Sequence, residues 1–453
     1  MLSDTKAGML LCLGALLLAG FAAGAAEAVD KPVRVDLATT LRLAGADNLD
    51  IRLAREKMTE AKAADEAATW QFFPWLSPGI SYRAHDNRIQ NVEGRMIDVS
   101  RDSASFGPSL MLQLDIGESI YRKLAASRLS SAAVHGAEAR LQETLSSAVA
   151  AYFECAEAQA GVALARENVT LSEEYSRQLE KAGEAGLAFR GDVLRVRSQM
   201  ERQRADFAAA IEKQSLASTR LGQILRINPR IQLLAQETEL TPVVMVQTNS
   251  PLGELIRKAL GRRPEIFESQ ANVEAAAEAR KGARYGPLYP TLGAQVFVGG
   301  LEGGNQVSHG SAAESQDYQV TLSWRIGPGG IFDRSRTRLA ESRLRSAELV
   351  SSKVQEEIAR QVADALAAAV AAGEKLARLT SAMAAADEAF QLARGRREFG
   401  IGVVAETILA EQEFTRLRLD RLNAISRHNK AQYQLLRVTG DLGVSAGSGP
   451  RKP

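Results

Sequence analysis

Proline placement limits what this chain can fold into more than any other feature. Of the 13 prolines in 453 residues, none lies between Ser109 and Asn228 or between Gly329 and Gly449. An interior proline costs a helix about 3 kcal/mol, so these two runs of about 120 residues are where very long helices can stand. Within the first run Leu124, Leu129, Leu141, Leu145, Val149, Tyr152 and Phe153 recur near helical spacing. At 1.5 Å per residue, a helix from Ser119 to Glu184 is a rod on the order of 100 Å, for which a globular domain has no use. Aromatics make up only 5% of the chain, which suits helices packed through small and aliphatic side chains.

Self-comparison shows a duplication. Leu124 to Ala132 reads LAASRLSSA and Leu339 to Ala347 reads LAESRLRSA, seven identities in nine at an offset of 215. Phe73-Pro74 with Tyr289-Pro290, Ile116-Gly117 with Ile326-Gly327, and Gly186 with Gly400 keep nearly that offset. Each unit therefore reads as helix, proline-marked break, short strands, glycine turn, long helix, glycine break and second helix. The expected division is a first repeat over 29–230, a linker over 231–262, a second repeat over 263–442 and a disordered tail over 443–453. The fold class is mainly α with a small β part.

The strands fall between Pro74 and Asp115 and between Pro290 and Arg325. Leu110, Leu112 and Leu114 alternate with Ser109, Met111 and Gln113; Tyr318, Val320, Leu322 and Trp324 alternate with Gln319, Thr321 and Ser323. One face is apolar and the other polar, as a water-filled transmembrane barrel requires, and those seven apolar residues are the expected lipid face. A half-buried soluble sheet would alternate the same way. Polar loops, Asp86 to Ser103 and Gly299 to Ser315, are expected to join each pair. Four strands cannot close a barrel whose smallest known size is about eight, so several chains must share one.

Residues 1–28 read as a cleaved secretory signal: Lys6, an apolar run from Met9 to Phe21, and Ala26-Glu27-Ala28 as the cleavage site. That run is about 13 residues, too short for the roughly 20 that span a bilayer. Cys12 leaves with it, and Cys155 reads as a small packing residue. The net charge of +2 comes from interleaved acids and bases, so nothing suggests nucleic-acid binding.

Enzymatic chemistry finds no support. His85, His135, His309 and His428 have no metal-ligand spacing, and Gly327-Pro328-Gly329-Gly330 lacks the following Lys and Ser/Thr of a phosphate loop. No cofactor or metal is expected. Six residues after Gly186 stands Asp192, and six after Gly400 stands Glu406, so each repeat carries an acid at the same point of its second helix. First-turn acids also favour a helix N-terminus, and that plainer reading stays open.

With its Leu49-Asp50-Ile51 and Arg263-Pro264-Glu265-Ile266 helix openings, the two Pro-marked breaks, and the rod breaks AGLAFRGDVL (Ala185 to Leu194) and FGIGVVAETIL (Phe399 to Leu409), the chain resembles the TolC-like outer-membrane factor (outer membrane efflux protein) family from Val35 to about Leu442. The resemblance implies a homotrimer sharing one twelve-stranded barrel above a periplasmic α-helical barrel. It further implies a passive exit duct for tripartite efflux or type I secretion, served by a periplasmic adaptor and an inner-membrane pump of the RND or ABC type. By position, Glu406 is similar to the family's constriction acid and Asp192 to its latch acid, with Gly186, Leu187, Gly400 and Ile401 at the adaptor-contacting tip. Leu409 stands where the second ring acid is expected and Val403 where the basic latch residue is, which leaves Arg397 or Arg190 as substitutes. A soluble periplasmic coiled-coil scaffold is the alternative, and an envelope hydrolase the weaker rival.

Overall fold

The computed structural model describes residues 32–237, 239–305, 308–327, 329–398 and 404–442. The signal segment, the tail, Pro328, Gly400, Ile401 and Val403 lie outside the described residues.

Each repeat unfolds in the same order. In the first, α1 (Leu37–Asp47) and α2 (Leu49–Trp70) lead to β2 (Trp75–His85) and β5 (Arg101–Asp115), then to α3 (Ile116–Glu184) and α4 (Arg190–Leu225). In the second, α6 (Pro264–Tyr285) leads to β7 (Thr291–Asn305) and β9 (Ala313–Ser323), then to α7 (Arg334–Glu398) and α8 (Val404–Val438). Between them lie β6 (Leu233–Ala235), paired in parallel with β1 (Val33–Val35), and α5 (Leu252–Arg262).

Local chemistry sets the helix ends. Asp36 accepts from the Thr39 amide at 3.1 Å and Asn48 from the Asp50 amide at 2.8 Å, so each satisfies an orphan donor at an N-terminus. Pro264 opens α6 where its missing N–H costs nothing. The 69 residues of α3 make a rod of about 100 Å. It stops at Gly186, whose φ of +75° is the left-handed conformation glycine adopts freely. The Leu187 amide then reaches the Ala182 carbonyl at 2.8 Å and the Gly186 amide the Gly183 carbonyl at 3.1 Å, completing a Schellman turn.

The core lies at the waist, around the short β1–β6 pair. Val35, Leu221, Leu225 and Leu233 enclose Cys155, and Val149, Tyr152 and Phe153 of α3 pack with Tyr433 and Leu436 of α8. Burial pushes the Cys155 thiol up to about 11, and its Sγ–H points to the Leu233 carbonyl at 3.4 Å, as expected of packing filler. The extended segment after β6 is held to α8 by two buried amides. Asn429 accepts from the Val243 amide at 2.9 Å and donates to the Thr241 carbonyl at 2.9 Å, while Gln432 accepts from the Met245 and Val246 amides. That ladder satisfies backbone groups that lack a strand partner.

Three expectations need correction. The strands run well into the stretches read as loops: β5 begins at Arg101, β7 continues to Asn305 and β9 begins at Ala313. Glycine and serine there weaken strand propensity, but cross-strand hydrogen bonding overrides it. The first loop also holds a small hairpin, β3 (Arg88–Gln90) with β4 (Met96–Asp98). Ile116-Gly117 is no turn, because β5 passes directly into α3. Gly117 is needed there since a Cβ would stand 2.5 Å from the Gly286 carbonyl oxygen. Finally, Trp324 and Ile326 lie beyond the end of β9.

Candidate functional site: a two-faced sheet and a helical tip

The long strands form one antiparallel sheet in the order β2-β5-β7-β9. Register decides what each face carries. Leu76, Leu110, Val296 and Tyr318 stand in one row across all four strands, followed by Leu112, Ala294 and Val320, then by Leu114, Leu292 and Leu322. The alternate rows hold Ser77, Ser109, Phe297 and Asp317, then Gln113, Gly293 and Thr321. Because strand side chains alternate, six of the seven residues expected to face lipid share one face, and Trp324 follows just past its edge.

That apolar face has no cover within the chain: Ile80, Val320 and Tyr318 are 84%, 77% and 69% exposed. The polar face is the hollow one, with a concavity of about 780 Å³ lined by Ser77, Ser81, Ser105, Ser109, Gln295, Phe297 and Asp317. Among the described residues β2 pairs only with β5 and β9 only with β7, so two long edges stay open.

At the far end of the rods the breaks place both candidate acids in the first turn of a helix, Asp192 in α4 and Glu406 in α8. Each has a cation that the sequence did not single out. Arg396, at the end of α7, reaches Glu406 at 3.0 Å, and Arg195 reaches Asp192 at 3.1 Å. Arg190 opens α4 without being the partner of Asp192, and the Arg397 side chain lies outside what is described. Arginines stand at 394, 396 and 397, and only the hairpin geometry selects the middle one. Leu187 and Phe189 at the first break are 84% and 76% exposed.

Links between the two hairpins lie farther from the tip. Gln412 of α8 donates to Gln199 of α4 at 2.7 Å, and Arg418 forks onto Glu167 of α3 at 2.9 and 3.2 Å. Within the second hairpin, the Phe390 ring of α7 stacks on Phe414 of α8 at 5.7 Å. Spacing could not have paired residues about 200 positions apart. Among the described residues no group of His, Cys, Asp and Glu is placed to hold a metal ion.

A sheet with one apolar face and open edges, mounted on helical hairpins of about 100 Å, defines the class of outer-membrane channel subunits. The family model described as outer membrane efflux protein matches residues 40–225 and 255–441, one block per repeat, and the chain belongs to that family. Membership places it in the outer membrane with its helices on the periplasmic side. Protein CyaE of Bordetella pertussis (strain Tohama I) is 26% identical over 319 residues, which span 67% of this chain and 64% of CyaE. A membrane protein from Pseudomonas aeruginosa superposes with a TM-score of 0.76 at 21% identity, over 89% of this chain and 93% of that one. The Campylobacter jejuni CmeC outer membrane channel superposes with a TM-score of 0.78 at 16% identity, over 90% and 86%.

Proposed function

We propose that three copies of this chain close one twelve-stranded barrel and form a passive exit duct for tripartite efflux or type I secretion. The observation that carries this is the two-faced sheet with free edges at β2 and β9. Lipid leaves no hydrogen-bond partner for an open edge, so each copy needs another beside it. Four antiparallel strands make the closing contact between β9 and the next β2 antiparallel as well. An eight-stranded barrel is filled by its own side chains, so twelve is the smallest closure by whole copies that leaves a water channel. Cargo reaches the duct from an inner-membrane pump of the RND or ABC type through a periplasmic adaptor. The duct itself needs no cofactor, because flow through a water-filled lumen has no chemical step.

At the tip, three copies of Glu406 around a narrow axis make a cation-attracting ring, and field lines focus where walls of low dielectric confine them. Asp192 is the latch acid in this reading; its charged hydrogen bond within the chain, to Arg195, stays inside α4, so the latch is made to a neighbouring copy. Gly186, Leu187, Gly400 and Ile401 form the adaptor contact, for which the exposed Leu187 supplies an apolar anchor. Native mass spectrometry in detergent tests the assembly: three chains are expected, and a monomer with a folded sheet contradicts it. In planar bilayers Glu406→Gln should weaken cation selectivity and Asp192→Ala should raise the open fraction. If both conduct like the parent, these acids only cap their helices.

A further inference from the structure

Below the strand ends the two repeats part company. In the first, Arg122, Lys123 and Arg128 are each paired, with Glu118, Asp65 and Glu274. In the second, residues 325–345 carry six arginines against two acids, Asp333 and Glu341. Arg336 reaches Glu118 at 3.0 Å. Arg325, Arg334, Arg338, Arg343 and Arg345 make no ion pair with any described residue. Asp333 caps α7 by accepting from the Ser335 and Arg336 amides at 3.1 Å, so the helix terminus has its own anion while the five arginines around it have none.

At about 100° per residue, Arg334, Arg338 and Arg345 form one stripe along α7, with Arg336, Leu339 and Arg343 opposite. The second stripe lines a groove together with Arg122, and Arg122 also lines a hollow with Gln113 and Asp115 of the sheet's polar face. That stripe is thus on the water side of the wall. Arg334, Arg338 and Arg345 are on the side continuous with the apolar face. Just above them Trp324, Ile326 and Phe332 are 51%, 70% and 70% exposed.

We infer that Arg334, Arg338 and Arg345, with Trp324 and Phe332 above them, bind the phosphate head groups of anionic phospholipid at the periplasmic boundary of the membrane. Aromatic rings favour that boundary, and basic side chains just outside it attract anionic lipid. The guanidinium fork also matches phosphate oxygens. Ser335, Ser342 and Ser346 stand between the two stripes, on the side of α7 away from α6, where the helix of a neighbouring copy would pack. The arginines therefore flank that seam and stay free for lipid. The inference rests on the reading that the apolar face meets lipid.

The test uses the full-length assembly in mild detergent, mixed with phosphatidylglycerol and phosphatidylcholine, with retained lipid counted by native mass spectrometry. Each arginine near an anionic surface contributes about fivefold in binding, so the parent should retain phosphatidylglycerol preferentially. Changing Arg334→Gln, Arg338→Gln and Arg345→Gln together should lower that preference at least about fivefold with assembly mass unchanged. The corresponding lysine variant should keep most of it, and Arg343→Gln on the water side should leave it intact. An unchanged preference in the triple glutamine variant overturns the inference. So does dissociation of that variant, which would assign the stripe to the seam between copies. Conductance of the same samples keeps the two readings separable, since the duct does not need the stripe and the triple variant should conduct like the parent.

Discussion

At the waist, Leu221, Leu233, Leu435 and Val438 are completely buried within one chain, whereas along the sheet Ile80, Tyr318 and Val320 stand 84%, 69% and 77% exposed. The waist is finished by intrachain packing alone. The sheet carries a row of apolar side chains on one face and nothing within the chain to bury them against, so its stability depends on what lies outside the chain. One molecule thus contains a region governed by packing density and another governed by lipid and by further copies.

Substitutions can break this contrast. Leu435→Ala should cost about 2–5 kcal/mol at the waist, because a fully buried leucine leaves a cavity as well as lost contacts. Denaturant unfolding of the extracted assembly measures it, and a loss under about 1 kcal/mol would mean the waist is loosely packed. On the sheet, Leu112→Arg should impair insertion by about 2–4 kcal/mol while Gln113→Arg is tolerated, although the two are adjacent on β5. Partition between membrane and soluble fractions reads this difference, and equal effects would reject the assignment of faces.

Smaller effects sharpen the same contrast. Asn429→Ala should cost about 1–3 kcal/mol, because the Val243 amide and Thr241 carbonyl would lose their buried partner. Burial also pushes the His428 imidazole below its ordinary value. The unfolded chain therefore binds the proton more readily, so waist stability is present above a pH of about 6.5 and falls as pH drops through the folded value. His428→Gln should flatten that part of a melting-temperature profile between about pH 5 and 7, and a profile as steep as the parent's would place the titration elsewhere. Smallest is Arg396→Ala, since its pair with Glu406 is more than 40% exposed on both sides; about 1 kcal/mol or less is expected from thermal melts.

The rods, their breaks and the two-faced strands were legible in the sequence because each follows from local rules. Proline exclusion bounded α3 and α7, glycine marked the Gly186 turn, and period-two alternation placed Leu110 and Val320 on one face. Strand length was not legible, since the glycines and serines of β7 look like loop until β5 and β9 pair with them. Nor was the partner of Glu406, because three nearby arginines are equivalent until the hairpin closes. The amides of Asn429 and Gln432 gave no signal at all: their partners are backbone groups about 186 residues away.

A shared barrel requires that β9 of one copy pair with β2 of the next. Cysteine pairs show this most directly, with one cysteine at Ser77, Ser81 or Arg83 on β2 and another at Ser315, Asp317 or Gln319 on β9, all on the polar face. The native Cys155 is buried and does not interfere. Oxidation of membrane fractions should give a ladder of one, two and three chains for at least one pair, with the longest product set by ring closure. Absence of any interchain product across the whole grid, with the protein folded in the membrane, would contradict the shared barrel.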